Sequence, residues 1–167
     1  MTPADLVEIE LIKQLKYRYM RLLDQKGWDE MEALFSADAE AAYSGGKYAF
    51  SGPDAILEFF RKAMGRTSFL SSHRVHQPEI RLTSATTATG IWALEDRVID
   101  TERNITIQGA AFYDDEYVKL KGEWRIRRTG YSRTFEEVCP RDGKSPPILT
   151  ASFWGTAGRS DLPAPGS

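Results

Sequence analysis

One cysteine, Cys139, in 167 residues leaves no internal disulfide possible, and beside only two histidines it argues against a thiolate zinc site. No run of about 18 apolar residues is present to cross a bilayer. The opening Met1-Thr2-Pro3-Ala4-Asp5 lacks the basic and apolar regions of a signal peptide, so the expected location is the cytoplasm. Neither sign of charge dominates: 22 Lys and Arg stand against 24 Asp and Glu, spread along the chain, with a net charge of −2 and a pI near 5.8. There is thus no basic field for nucleic acid and none for a membrane surface. Also missing are a Gly-rich phosphate loop, a serine nucleophile elbow, a metal-ligand spacing and a dinucleotide fingerprint, so no metal and no cofactor is expected.

What is present is ordinary globular material, 41% apolar and 28% charged, and enough of it for one domain with a substantial core. From Ala4 to about Gln25, Ile9, Ile12, Leu15, Tyr19 and Leu22 recur at steps of three and four and mark the buried stripe of a long helix. Tyr19 on that stripe aims a phenol inward, where its hydroxyl needs a partner. Asp24 falls in the last turn, where the helix dipole disfavours a carboxylate, so its placement asks for a reason. Gly27 stops the helix, and residues 28–35 read as a short second helix with Trp28, Met31, Leu34 and Phe35 inward. Glu40–Tyr43 and Lys47–Phe50 flank the tight turn Ser44-Gly45-Gly46, and Ser51-Gly52-Pro53-Asp54 opens a helix with Ile56, Phe59, Phe60 and Ala63 on its apolar face.

From about Ser71 to Glu137 β-branched and aromatic residues dominate, broken at 83–86, 100–104 and 121–123, which predicts four antiparallel strands in a meander. Helices followed by a meander describe an α+β domain, a curved sheet wrapped over the long N-terminal helix and enclosing a conical pocket. Gly90, Gly109 and Gly130 inside the strands imply bulges or sharp bends. The domain is expected over residues 1–138. Residues 139–167, rich in Gly, Pro and Ser, read as a tail in which Ile148, Leu149, Phe153 and Trp154 are apolar islands, docked on the pocket mouth or on a neighbouring subunit.

Both histidines lie in Ser72-His73-Arg74-Val75-His76. A four-residue loop at Thr83–Thr86 places the hairpin axis between Ser84 and Ala85, setting His73 opposite Asp96 and His76 opposite Ala93. Directly opposed residues have Cβ atoms about 4.5–5.5 Å apart on one face, close enough for an imidazole–carboxylate hydrogen bond. His73 is therefore the candidate proton carrier and His76 a packing residue. Asp96 shares its face with Trp92, Leu94 and Val98, where an unpaired acid is costly; the plainer reading is that it pairs with an arginine such as Arg97 or Arg133. Arg133 shares a face with Tyr131, to hold a substrate oxygen or to complete a salt bridge. Alternation puts Trp124 and Ile126 on the opposite face unless a bulge near Gly130 reverses them. A pocket of aromatic side chains with a His/Asp pair and a phenol suits enolisation or β-elimination on a small, largely apolar ring compound.

Several strings carry a family resemblance: Tyr19 with Asp24 and Trp28-Asp29; Tyr43-Ser44 before the glycine turn; His73-Arg74-Val75-His76 with Pro78-Glu79-Ile80; Leu94-Glu95-Asp96-Arg97; Ala111-Phe112-Tyr113; and Gly130-Tyr131-Ser132-Arg133. Over about Ile12 to Val138 the chain resembles the SnoaL-like branch of the nuclear transport factor 2-like (cystatin-like) cone fold. Within that branch it looks most like bacterial bile-acid 7α-dehydratases and more remotely like scytalone dehydratases. The resemblance implies catalytic positions at Tyr19, Asp24, His73, Asp96 and Arg133, with His73 oriented by Asp96 and Asp24 tuning the phenol of Tyr19. Substrate-lining positions are expected at Tyr43, Trp92, Tyr113, Tyr131 and Phe59. It also implies a cofactor-independent dehydratase acting on a cyclic hydroxy-carbonyl or steroid-like compound, in a homo-oligomer, trimer or dimer. The same residues leave open another lyase or isomerase on a phenolic aromatic, including formaldehyde loss by retro-aldol cleavage, or a non-catalytic small-molecule-binding module.

Overall fold

The computed structural model describes residues 1–145 and 148–163. Helix α1 runs Pro3–Gln25, opened by a capping box in which Thr2 and Asp5 bond each other's backbone N–H and by Pro3 in the first turn. It ends where Lys26 takes up a left-handed φ of 58°. Ile12, Leu15, Tyr19, Met20, Leu22 and Leu23 are buried along it, as the three–four spacing predicts; burying a side chain of leucine size contributes about 1.5–3 kcal/mol. Helix α2 is shorter than expected, Trp28–Glu32, because the chain is already extended by Phe35.

Strand β1, Phe35–Tyr43, turns at 44–47 into β2, Tyr48–Ser51, and α3 follows over Pro53–Met64. The meander is β3 Phe69–Leu82, β4 Thr87–Asp100, β5 Ile105–Leu120 and β6 Glu123–Pro140. The sheet order is β2-β1-β6-β5-β4-β3, with β1 parallel to β6 and the meander pairs antiparallel. Helix α1 lies across the inner face of this curved sheet and packs mainly on β3.

Two expectations about the tail change. Cys139 and Pro140 belong to β6, where Cys139 faces Thr106, and a further strand β7, Ile148–Ser152, pairs with β6 beyond the reach of β1. A one-turn helix α4 follows at Phe153–Thr156. The side-chain placements of Leu149, Phe153 and Trp154 lie outside what is described.

Bulges decide which faces meet. Beside the turn, Leu82 faces Ala88, one position off the expected axis, and an extra residue at Gln77–Pro78, with φ 38° at Gln77, restores the pairing. Beyond it His73 faces Asp96 and His76 faces Ala93, as the loop length predicts. In β6 a bulge between Ile126 and Arg128 returns the buried face, so Trp124, Ile126, Tyr131 and Arg133 all point to the helix side. The reversal raised for Gly130 occurs three residues earlier. Gly130 itself permits a close approach of strands. A Cβ there would stand 2.4 Å from the Ala42 carbonyl oxygen, so its bareness lets β1 and β6 lie together.

Under the pocket floor, Lys16 Nζ is fully buried 2.7 Å from Asp115 Oδ2 and 3.4 Å from the centre of the Tyr113 ring. Asp115 also accepts from Tyr117 and Thr129, and Tyr117 in turn accepts from Trp92 Nε1 at 2.9 Å. This charge pair with its hydrogen bonds fixes the register of α1 against β5 and β6.

Candidate active site

Between α1, α3 and the concave sheet lies a cavity of about 450 Å³. Tyr19, Tyr43, Phe59, Tyr113, Tyr131, His73, Asp96 and Arg133 all line it. Trp92 does not: it is wholly buried, its indole N–H is spent on Tyr117, and it belongs to the floor rather than to a substrate surface.

The partner of His73 differs from the one expected. Its Nδ1 lies 2.7 Å from Asp24 Oδ1, and its backbone N–H donates to Asp24 Oδ2 at 2.9 Å. Register opposes His73 and Asp96, yet the imidazole turns toward the helix, and Asp96 is held instead by a fork of Arg133 through both terminal nitrogens, the Oδ2 contact at 3.0 Å. The plainer reading of Asp96, a salt bridge to Arg133, is the one the geometry supports. Asp24 accepts as well from Ser71 Oγ at 2.9 Å, a residue that sequence reasoning passed over. Because the carboxylate only accepts, Nδ1 is the donor in this contact, and Nε2 is the ring nitrogen left for a molecule in the cavity. Asp24's awkward place at a helix C-terminus now has its reason, since it serves His73 rather than the phenol of Tyr19.

Burial works against ionising Asp24, but the hydrogen bond and charge of His73, its backbone N–H and Ser71 outweigh that and hold the carboxyl below its ordinary value of 3.8. A carboxylate depressed on folding stabilises fully above its unfolded value and ceases to do so as pH falls through the folded one. Asp24→Asn is therefore expected to cost about 1–2 kcal/mol above roughly pH 5, with the gap to wild type narrowing below 3.8, read by urea denaturation across pH.

The phenols form the opposite side of the chemistry. The hydroxyls of Tyr19 and Tyr43 are 3.0 Å apart, and Tyr19 stands edge-on to Tyr113, which stands edge-on to Tyr131. Burial, reinforced by neighbouring phenols and Asp115, pushes Tyr19, Tyr43 and Tyr113 well above 10, and burial against the nearby Arg133 charge still carries Tyr131 to about 12. All four remain protonated at neutral pH; within the Tyr19–Tyr43 pair one hydroxyl donates to the other, which leaves one O–H of the pair to donate to an oxygen in the cavity. Arg133 Nε lies 3.1 Å from Glu136 Oε2, so both the guanidinium fork and Nε are engaged by carboxylates and the cation stays charged despite its burial. At another part of the rim Arg66 pairs with Asp100 and Glu102, near Lys62 and Arg103.

The profile of the SnoaL-like domain matches residues 4–130. The chain belongs to the SnoaL-like family. Among its relatives is an uncharacterized protein of Mycobacterium tuberculosis, 23% identical over 131 residues, which span 76% of this chain and 86% of the relative. A Novosphingobium aromaticivorans protein described as a scytalone dehydratase superposes with a TM-score of 0.75 at 27% identity, over 81% of this chain and 90% of that one. The hexachlorocyclohexane dehydrochlorinase LinA-type3 of Novosphingobium barchaimii superposes at 0.72 with 19% identity, over 89% and 95%, a likeness of fold. The SnoaL-like match stops ten residues before the end of β6 and leaves β7, α4 and the segment after them outside it. No helix among the described residues is long and apolar enough to cross a membrane.

Proposed function

We propose that this SnoaL-like chain is a carbon–oxygen lyase that eliminates water from a small apolar cyclic hydroxy-carbonyl or steroid-like compound. The observation that carries the reading is the imidazole of His73, held by Asp24 through Nδ1, lining the same aromatic cavity as the Tyr19–Tyr43 phenol pair. A tethered base and a protonated phenol in one cavity are what a β-elimination next to a carbonyl requires.

In this scheme Nε2 of His73 takes the proton from the carbon beside the substrate carbonyl. Asp24 balances the imidazolium that forms, while the carbonyl oxygen gains charge and accepts a hydrogen bond from the Tyr19–Tyr43 pair. The C–H electron pair becomes the new C=C bond, the β C–O bond breaks, and the hydroxide leaves as water with the proton His73 carries. Asp96 and Arg133, satisfied by each other, form a rigid polar wall. Dehydration and dehydrochlorination, the activities in the names of the two structural neighbours, are both eliminations, which favours this class over a binding module.

The test is to incubate purified protein with a panel of hydroxy-ketosteroids and lignin-type phenols and read the products by mass. Loss of one water from a hydroxy-carbonyl is the expected result. A product of unchanged mass, or one lighter by formaldehyde, would reassign the same site to isomerisation or to carbon–carbon cleavage, and conversion of nothing in the panel would count against this substrate class.

A further inference from the structure

Past β7 and α4 the chain crosses back over the cavity, and residues 157–163 are fastened there at several points. Lys47 Nζ, on the β1–β2 turn, donates to the carbonyl oxygens of both Ser160 and Leu162. Ser160 N–H donates to Ser44 Oγ at 2.8 Å on the same turn, and Asp161 N–H donates to the Thr150 carbonyl at 2.8 Å. The Ser160 hydroxyl bonds Glu136, which also receives Thr150 Oγ1 at 2.9 Å and holds Arg133 Nε. Arg133 N–H in turn donates to the Gly158 carbonyl at 3.0 Å, and a Cβ on Gly158 would stand 2.7 Å from that nitrogen, so only glycine packs so close. The strap is thus registered on a cavity residue, not draped over the surface.

Its far end, Ser160, Leu162 and Pro163, lines the cavity. The elements that anchor it, β1, β2 and β6, occupy the other side of the sheet from edge strand β3, which carries His73. A substrate whose reacting carbon sits at His73 therefore meets Leu162 and Pro163 with its distal end. Lys47, the cation fastened to this part of the strap, spends its ammonium on the two carbonyls, so Leu162 and Pro163 offer a ligand an aliphatic surface rather than a charge.

We propose that residues 157–163 form a wall of the substrate cavity, with Leu162 and Pro163 selecting the length of the substrate and requiring its distal end to be uncharged and apolar. This rests on reading the cavity as a substrate site, and the closing experiment separates the two. Binding of two fluorescent phenols, two-ring 2-naphthol and four-ring equilenin, is measured on full-length wild type, Leu162→Ala, Leu162→Trp and Lys47→Met, with thermal melts as a check of folding. The quantity read is the ratio of equilenin to 2-naphthol affinity, which a general loss of stability does not move. A shift of about tenfold is expected from adding or removing bulk at an apolar wall. The ratio should fall in Leu162→Trp and rise in Leu162→Ala, and Lys47→Met, which frees the strap, should move it the same way as Leu162→Ala. A ratio within twofold of wild type in all three variants, with 2-naphthol still bound, overturns the inference and leaves the substrate site standing. Failure of wild type to bind either phenol removes the site reading and the inference with it.

Discussion

Replacing His73 by alanine is expected to lower turnover of the dehydration substrate by about a hundredfold to ten-thousandfold, the range over which a positioned general base acts. The loss should fall on kcat more than on KM, because the imidazole acts on the proton in flight while the aromatic walls hold the ring compound in either variant. Folding should change little: His73 keeps one side-chain hydrogen bond, to Asp24, and that carboxylate retains Ser71 and the backbone N–H of residue 73. Initial rates on the substrate identified by mass, with a thermal melt alongside, decide the matter. A His73→Ala protein that turns over within fivefold of wild type would sink the assignment of the proton carrier.

That assignment shows how far the chain could be read in advance and where reading stopped. The strand-to-strand relation of His73 and Asp96 follows from a local rule, loop length plus alternation, and it survives because the bulge at Gln77–Pro78 offsets the displaced turn. The side-chain relation does not follow from that rule. His73 meets Asp24 because α1 packs on β3, and the packing of a helix on a sheet is set by the whole core rather than by a local pattern. The one local signal available was Asp24 itself, a carboxylate at the helix end where the dipole repels it. The cavity-lining aromatics Tyr19, Tyr43, Phe59, Tyr113 and Tyr131 were legible from the helical stripe, the hairpin and the family strings, whereas Trp92 was misplaced because a buried strand face gives no sign of where the cavity ends and the floor begins. The pairing of β7 and the strap were hidden for a different reason. Their anchors, such as Lys47 on Ser160 and Leu162, use backbone carbonyls that every residue carries, so nothing in a Pro- and Gly-rich composition marks them.

Arg133 is where stability rather than chemistry should suffer most. Its guanidinium is nearly inaccessible, forks onto Asp96 and reaches Glu136 through Nε, so Arg133→Met strands two buried carboxylates at once. Breaking a buried pair by removing one partner costs about 3–5 kcal/mol, since the remaining charge has lost its solvation and its counter-ion together. For a domain of this size that corresponds to a drop in Tm of roughly 6–20 °C. Arg133→Lys should recover part of the loss and no more, because an ammonium supplies the charge but not the planar fork that engages both oxygens of Asp96. The double variant Arg133→Met with Asp96→Leu should be more stable than Arg133→Met alone, because one stranded charge goes with its partner, and Glu136 still accepts from Thr150 and Ser160. If Arg133 instead existed to grip a substrate oxygen, Arg133→Met would melt near the wild-type temperature and lose activity alone. Its two terminal nitrogens already bonded to Asp96, with Nε ion-paired to Glu136, argue for the first outcome, and urea denaturation of the three variants distinguishes the two.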